Sequence, residues 1–162
     1  MTPTHEGALQ ITRESLHFLR SAIEDLPEEA MDWKPLPGAS SLAVLVAHSV
    51  TATRFFLRAG SGEVGSLAEY RAGARAEAFR TAGIGKRDLL EMIAAFGREA
   101  DAIVAKGTEA HLAAVVELTA ADDMPVPVRN GAGTLFAAIA HLREHVGHVQ
   151  LMHDLWLAEH AA

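Results

Sequence analysis

Apolar residues recur along this chain at the three-to-four-residue interval of an α-helix, and four segments carry the pattern. From about Thr4 to Leu26, Leu9, Leu16, Leu19 and Ile23 share one face among Arg13, Glu14, Arg20 and Glu24. A second helix is predicted from Leu42 to Arg58, with Ser40 or Ser41 as its N-cap. The third spans Lys86 to about Lys106 through Leu89, Leu90, Ile93, Phe96, Ala100 and Ile103, and Gly107 is its stop. The fourth and longest runs from about Thr134, its expected N-cap, to Glu159.

The segments between them are of different kinds. Asp25-Leu26-Pro27 ends the first helix, and Glu28 to Met31 has room for one further turn. Trp33-Lys34-Pro35-Leu36-Pro37-Gly38 holds two prolines and a glycine, which excludes regular helix and predicts an ordered crossover loop. Gly60-Ser61-Gly62 breaks the chain before a looser connection up to Gly85, with a short helix around Leu67 to Phe79. Ala110 to Leu118 reads equally as helix or short strand, and Asp122 to Gly133, with two prolines and two glycines, as loop. No repeat and no long alternating stretch is present. The expectation is an all-α protein, a four-helix bundle with one or two long crossover connections, forming one domain over residues 1–162.

Composition narrows the function. A formal net charge of −7 argues against a broad nucleic-acid surface, which requires clustered Lys and Arg. No apolar run reaches membrane-spanning length, and the N-terminus lacks a secretion signal, so no membrane partner and a cytoplasmic location are expected. The absence of cysteine removes disulfides, thiolate metal ligands and a protein thiol nucleophile together. Any thiol chemistry here must use a thiol brought from outside.

Candidate chemistry concentrates in His141-Leu142-Arg143-Glu144-His145-Val146-Gly147-His148. Residues four apart on a helix stack about 6 Å apart along its axis, so His141 and His145 can present imidazoles to one shared point. Neutral imidazole is a good ligand for zinc, nickel and iron. On the helical wheel, Leu135, Ile139, Leu142, Val146, Val149 and Trp156 form the apolar stripe, and the histidines lie along its edge, within the arc expected to be buried. His148 extends that edge as a fourth ligand, a partner of the ligands or a substrate contact. On the second helix, His48 shares a face with Val44, Leu45, Ala52 and Phe55, either as a hydrogen-bonded core histidine or as a ligand. Glu144 points away and is expected in solvent, while His5, His17, His111, His153 and His160 are expected at the surface or in packing.

Two other metal patterns fail. His141-Leu142-Arg143-Glu144-His145 has the form H-x-x-E-H of inverted zinc peptidases, which need a further acidic ligand well downstream; beyond Asp154 only Glu159 remains. A di-iron bundle needs two Glu-x-x-His motifs, and only Glu14-Ser15-Leu16-His17 has that form.

Taken in order, Trp33-Lys34-Pro35-Leu36-Pro37-Gly38, Ser40 ahead of the helix bearing His48, and His141-x-x-x-His145 resemble the DinB-like superfamily of metal-binding four-helix bundles. That superfamily includes mycothiol-dependent maleylpyruvate isomerase and bacillithiol-linked transferases. The resemblance covers nearly the whole chain. It departs where the family often continues from its last histidine as x-Gly-Gln, since here His148 stands in place of the glutamine. What it implies is a triad of His48, His141 and His145 around zinc or nickel, with water in the open positions. It further implies a metal-dependent thiol transferase or hydrolase acting on a small electrophile with an external thiol or water. The competing expectation is a non-catalytic, stress-related metal-binding or dimerisation module; a homodimer is expected in either case.

Overall fold

The computed structural model describes residues 1–63, 65–118 and 128–161. Helix α1 (Pro3–Glu24) opens on Thr2, whose hydroxyl accepts from the His5 N–H, with Pro3 in the first turn, where a missing N–H is harmless. After a single 3-10 turn (Glu28–Ala30) the crossover loop leads to α2 (Leu42–Gly60), capped by Ser41. The expected short helix is α3 (Leu67–Tyr70), a π turn (Arg71–Arg75) and α4 (Ala76–Ala78). Then follow α5 (Lys86–Ala105), α6 (Glu109–Ala113), β1 (Val115–Val116), β2 (Arg129–Asn130) and α7 (Gly131–His160).

The four long helices are those predicted. α2 packs on α7 and α5, and α1 packs on the same two, so the order around the bundle is α1, α5, α2, α7. Chain-sequential α1 and α2 are therefore diagonal partners, as are α5 and α7, and each diagonal requires a long crossover. The first crossover is ordered, as expected. Trp33 meets Trp156 of α7 edge-on at 5.5 Å between ring centroids, and Lys86 Nζ donates to the Glu24 and Leu26 carbonyls at the end of α1. Those carbonyls have no partner within the helix, so the contact replaces solvent.

Two expectations require correction. Thr134 is not the N-cap of the last helix, and the preceding loop does not extend to Gly133. Asn130 is the cap, its side chain accepting from the Gly133 N–H at 2.8 Å, and Thr134 instead donates to the Asn130 carbonyl. Glycines in the first turn disfavour helix locally, but tertiary packing overrides this. A Cβ on Gly131 would lie 2.2 Å from the His111 carbonyl oxygen, and one on Gly60 would lie 2.8 Å from Leu135 side-chain atoms. Only glycines allow the end of α2 and the start of α7 this close. The open segment Ala110 to Leu118 divides into α6 and β1, which pairs antiparallel with β2 through Val115 with Asn130 and Val116 with Arg129. The part of the expected loop at 122–127 lies outside the described residues.

Helix α2 is long and apolar enough by length and composition to cross a membrane, but two-thirds of it is buried inside the bundle, as befits a core helix. The core runs through all four long helices, with Leu19, Ile23, Leu57, Leu89, Phe96, Leu135 and Leu142 essentially inaccessible.

Candidate metal centre

The close approach of Gly60 to Gly131 and Leu135 makes α2 and α7 antiparallel neighbours. About three turns further from that contact along each helix lie His48 on one and His141 and His145 on the other. One register thus brings the three imidazoles together. The predicted stripe of α7, Leu135, Ile139, Leu142, Val146, Val149 and Trp156, is buried throughout and fixes the rotation of the helix. His141 and His145 sit at its edge, half-buried, while His48 is buried.

One ring nitrogen from each of His48, His141 and His145 lies within 4.8 Å of the other two. The rings meet edge to face, with centroids 5.1 Å apart for His48 and His141, 4.9 Å for His48 and His145, and 4.4 Å for His141 and His145. His141 Nε2 and His145 Nε2 are 3.2 Å apart. Zn–N bonds of about 2.0–2.1 Å place two ligands of a tetrahedral ion about 3.3 Å apart, so this pair already has the spacing such an ion requires. Three neighbouring histidines can hold a metal ion.

The electrostatics agree. Burial, followed by the neighbouring histidines and Arg75, pushes the His48 pKa down to about 4. Burial, with His141 and His148 adding to it against Glu144, pushes His145 down to about 4 as well. His141 is lowered by burial, with Glu144 opposing and Arg75 assisting. All three are neutral at physiological pH, the form that binds metal. The Nδ1 atoms of His48 and His141 are buried with no hydrogen-bond partner among the described residues. Buried polar atoms in native proteins are nearly always partnered, so the His48 nitrogen fits a group from outside the protein, whereas His141 presents its other nitrogen, Nε2, to His145.

The other predicted residues separate from this cluster. His148 is exposed, not within the buried arc, because it lies one turn further toward the solvent side. Its Nδ1 faces His145 Nδ1 at 3.3 Å, the nitrogen on the far side from His141. Glu144 is exposed, as expected. Among the remaining histidines, His17 is exposed, His160 stacks on Trp156 at 3.6 Å, and His153 sits 3.5 Å from Asp25. His5 is wholly buried, its Nδ1 2.8 Å from the Thr2 hydroxyl.

Periodicity did not reveal Phe79. Its ring covers His48 at 4.6 Å, and the Arg75 guanidinium covers Phe79 in turn at 4.7 Å. Both residues lie in the connection between α2 and α5, whose path across the histidines depends on no local pattern; the only signal was the short helix predicted there.

The family model of the DinB superfamily matches residues 11–149. That span contains the crossover loop and all three clustered histidines. No curated protein matches the chain.

Proposed function

The chain belongs to the DinB superfamily, and from that membership and the histidine cluster we propose that His48, His141 and His145 hold a divalent transition ion, zinc or nickel, in a thiol transferase or hydrolase. The observation that carries this is the convergence of three neutral imidazoles from two helices on one point. A bound ion of this kind with an open position lowers the pKa of a coordinated water or thiol and so supplies a nucleophile near neutral pH.

The chain's own residues prepare that position. Packing of α2 against α7 orients the three rings before any ligand arrives, and Phe79 keeps water from one face of His48. His148 can accept the Nδ1–H of His145, which leaves Nε2 as the free lone pair directed toward His141. With no cysteine in the chain, the nucleophile is water or an external low-molecular-weight thiol, and its partner is a small electrophile. A homodimer formed through exposed apolar side chains of α7 such as Phe136 and Leu151 belongs to the same proposal, and sedimentation measures it.

Elemental analysis of the purified protein, followed by thiol-dependent turnover of a panel of electrophiles, tests the reading. Stoichiometric zinc or nickel that disappears in His48→Ala, His141→Ala and His145→Ala, together with turnover, is the expected result. Metal without any turnover would instead favour the non-catalytic binding module.

A further inference from the structure

Beside the histidines lies a cavity of about 270 Å³, with His48 and His141 in its wall and Ala52, Phe56, Leu67 and Tyr70 as much of its apolar lining. Ala52, Leu67 and Tyr70 are buried together in a small cluster separate from the bundle core, with Phe55 and Phe56 packed against it. The chain has only six phenylalanines and one tyrosine, and four of these rings belong to this neighbourhood: Phe56 and Tyr70 in the cavity wall, Phe55 stacked on Tyr70 at 4.5 Å, and Phe79 on His48. The bundle core, by contrast, has Phe96 as its one buried phenylalanine among the described residues. Aromatic rings carry the largest apolar burial a domain can gain. Gathering four of them beside a cavity, with Phe79 43% exposed, leaves part of that gain unrealised unless a further apolar group enters. Packing of α3 on α2 accounts for the stack of Phe55 on Tyr70, but not for the space left beside Phe56 and Tyr70.

We propose that this cavity binds the aromatic ring of a small molecule, with Phe56 and Tyr70 as its ring contacts, so that the group attached to the ring faces the histidines. An apolar cavity of about 150 Å³ suffices for benzene, and pockets for drug-sized molecules begin at about 300 Å³, so the volume suits one ring with a short substituent. Offset and edge-to-face ring contacts are worth more than the area they bury, which makes a flat ring a better occupant than an aliphatic group of equal size. Arg75, also in the wall, is already engaged with the Phe79 ring at 4.7 Å. The substrate class follows: the electrophile of the proposed reaction carries an aromatic ring. That last step rests on the metal reading, whereas the ring site itself does not.

The test titrates the full chain, once loaded with zinc and once after chelation, with benzyl alcohol and with cyclohexylmethanol. Tyr70 is the only tyrosine, so the ring resonances of a tyrosine-labelled sample report on the cavity by NMR. Benzyl alcohol is expected to shift them saturably in both states and to bind about fivefold more tightly than cyclohexylmethanol, the scale of one favourable ring–ring contact. Apolar area alone would favour cyclohexylmethanol, the bulkier and more apolar of the two. Ala52→Leu, which fills the cavity, should abolish binding of both probes. Phe56→Leu, at a half-buried position, keeps apolar bulk and removes the ring, and should abolish the preference. No saturable shift at Tyr70, a preference for cyclohexylmethanol or none, binding that persists in Ala52→Leu, or a preference that persists in Phe56→Leu overturns the ring site. Zinc uptake by the wild type without a ring preference overturns this inference alone. A ring preference without zinc uptake supports the ring site and overturns the metal reading.

Discussion

His5 and His48 are both buried histidines, and they differ in what surrounds them. His5 is the more deeply buried, with no accessible surface, yet at the start of α1 it has Thr2 on its Nδ1, no partner for its Nε2 among the described residues, and His111 near enough to help lower its pKa without joining it in a three-histidine cluster. His48 retains 7% of its surface and faces two further imidazoles on another helix. Depth of burial therefore does not identify a metal centre. Convergence does, because an ion needs several lone pairs at one point, and only packed elements from distant parts of the chain supply them.

The largest effect expected from this contrast is on metal-dependent stability. Zinc at about a thousand times its dissociation constant should stabilise the wild type by about 4 kcal/mol, a rise in Tm of roughly 10 °C by calorimetry. His48→Ala, His141→Ala or His145→Ala should remove that rise, and His5→Ala should leave it intact. A rise that survives the three cluster variants would erase the distinction between the two sites.

Next in size is the effect of His5→Ala on the metal-free protein. It empties a fully enclosed space and should destabilise by about 2–3 kcal/mol in urea unfolding, as core truncations do. His48→Ala should cost less in the same measurement, since His5→Ala also removes the Thr2 contact at Nδ1 and His48 retains some exposed surface. The reverse order would show that His48 is the structural residue of the two.

His148→Ala should weaken zinc binding by roughly tenfold in competition with a chromophoric chelator, the low end for loss of a partner behind a ligand. No change would mean that His145 orients itself without help.

A separate effect is that of pH on the metal-free protein. The folded-state pKa values of His48 and His145 are depressed to about 4, below the ordinary histidine value of about 6.5. The unfolded chain therefore takes up protons first as pH falls, so stability is full above about 6.5 and declines toward 4. Partial exposure of the cluster softens the slope. Unfolding midpoints measured across that window should drop on acidification, and the triple His48→Ala/His141→Ala/His145→Ala variant should show a flatter profile.

Much of this is legible in the sequence. The four helices follow from apolar periodicity, and the crossover at Trp33 to Gly38 from two prolines and a glycine that no helix admits. His141 and His145 form a pair by spacing alone, since a helix is a local structure with a known repeat. The start of α7 is not legible locally because Gly131 and Gly133 are poor helix formers by themselves; their place in the helix depends on Gly60 and His111 pressing against Gly131. His148 belongs with the pair by spacing, but the rotation of α7 turns it to solvent.

What the chain determined by itself was local: helix phase, breaks, the absence of cysteine, and an imidazole pair on one helix edge. The tertiary structure decided which distant residues share a point. It set His48 against that pair, laid Phe79 over His48, and gathered Ala52, Phe56, Leu67 and Tyr70 around one cavity. The physical reason is that periodicity fixes a side chain's direction relative to its own helix, whereas the register between helices is set by long-range packing such as the glycine contact joining α2 to α7.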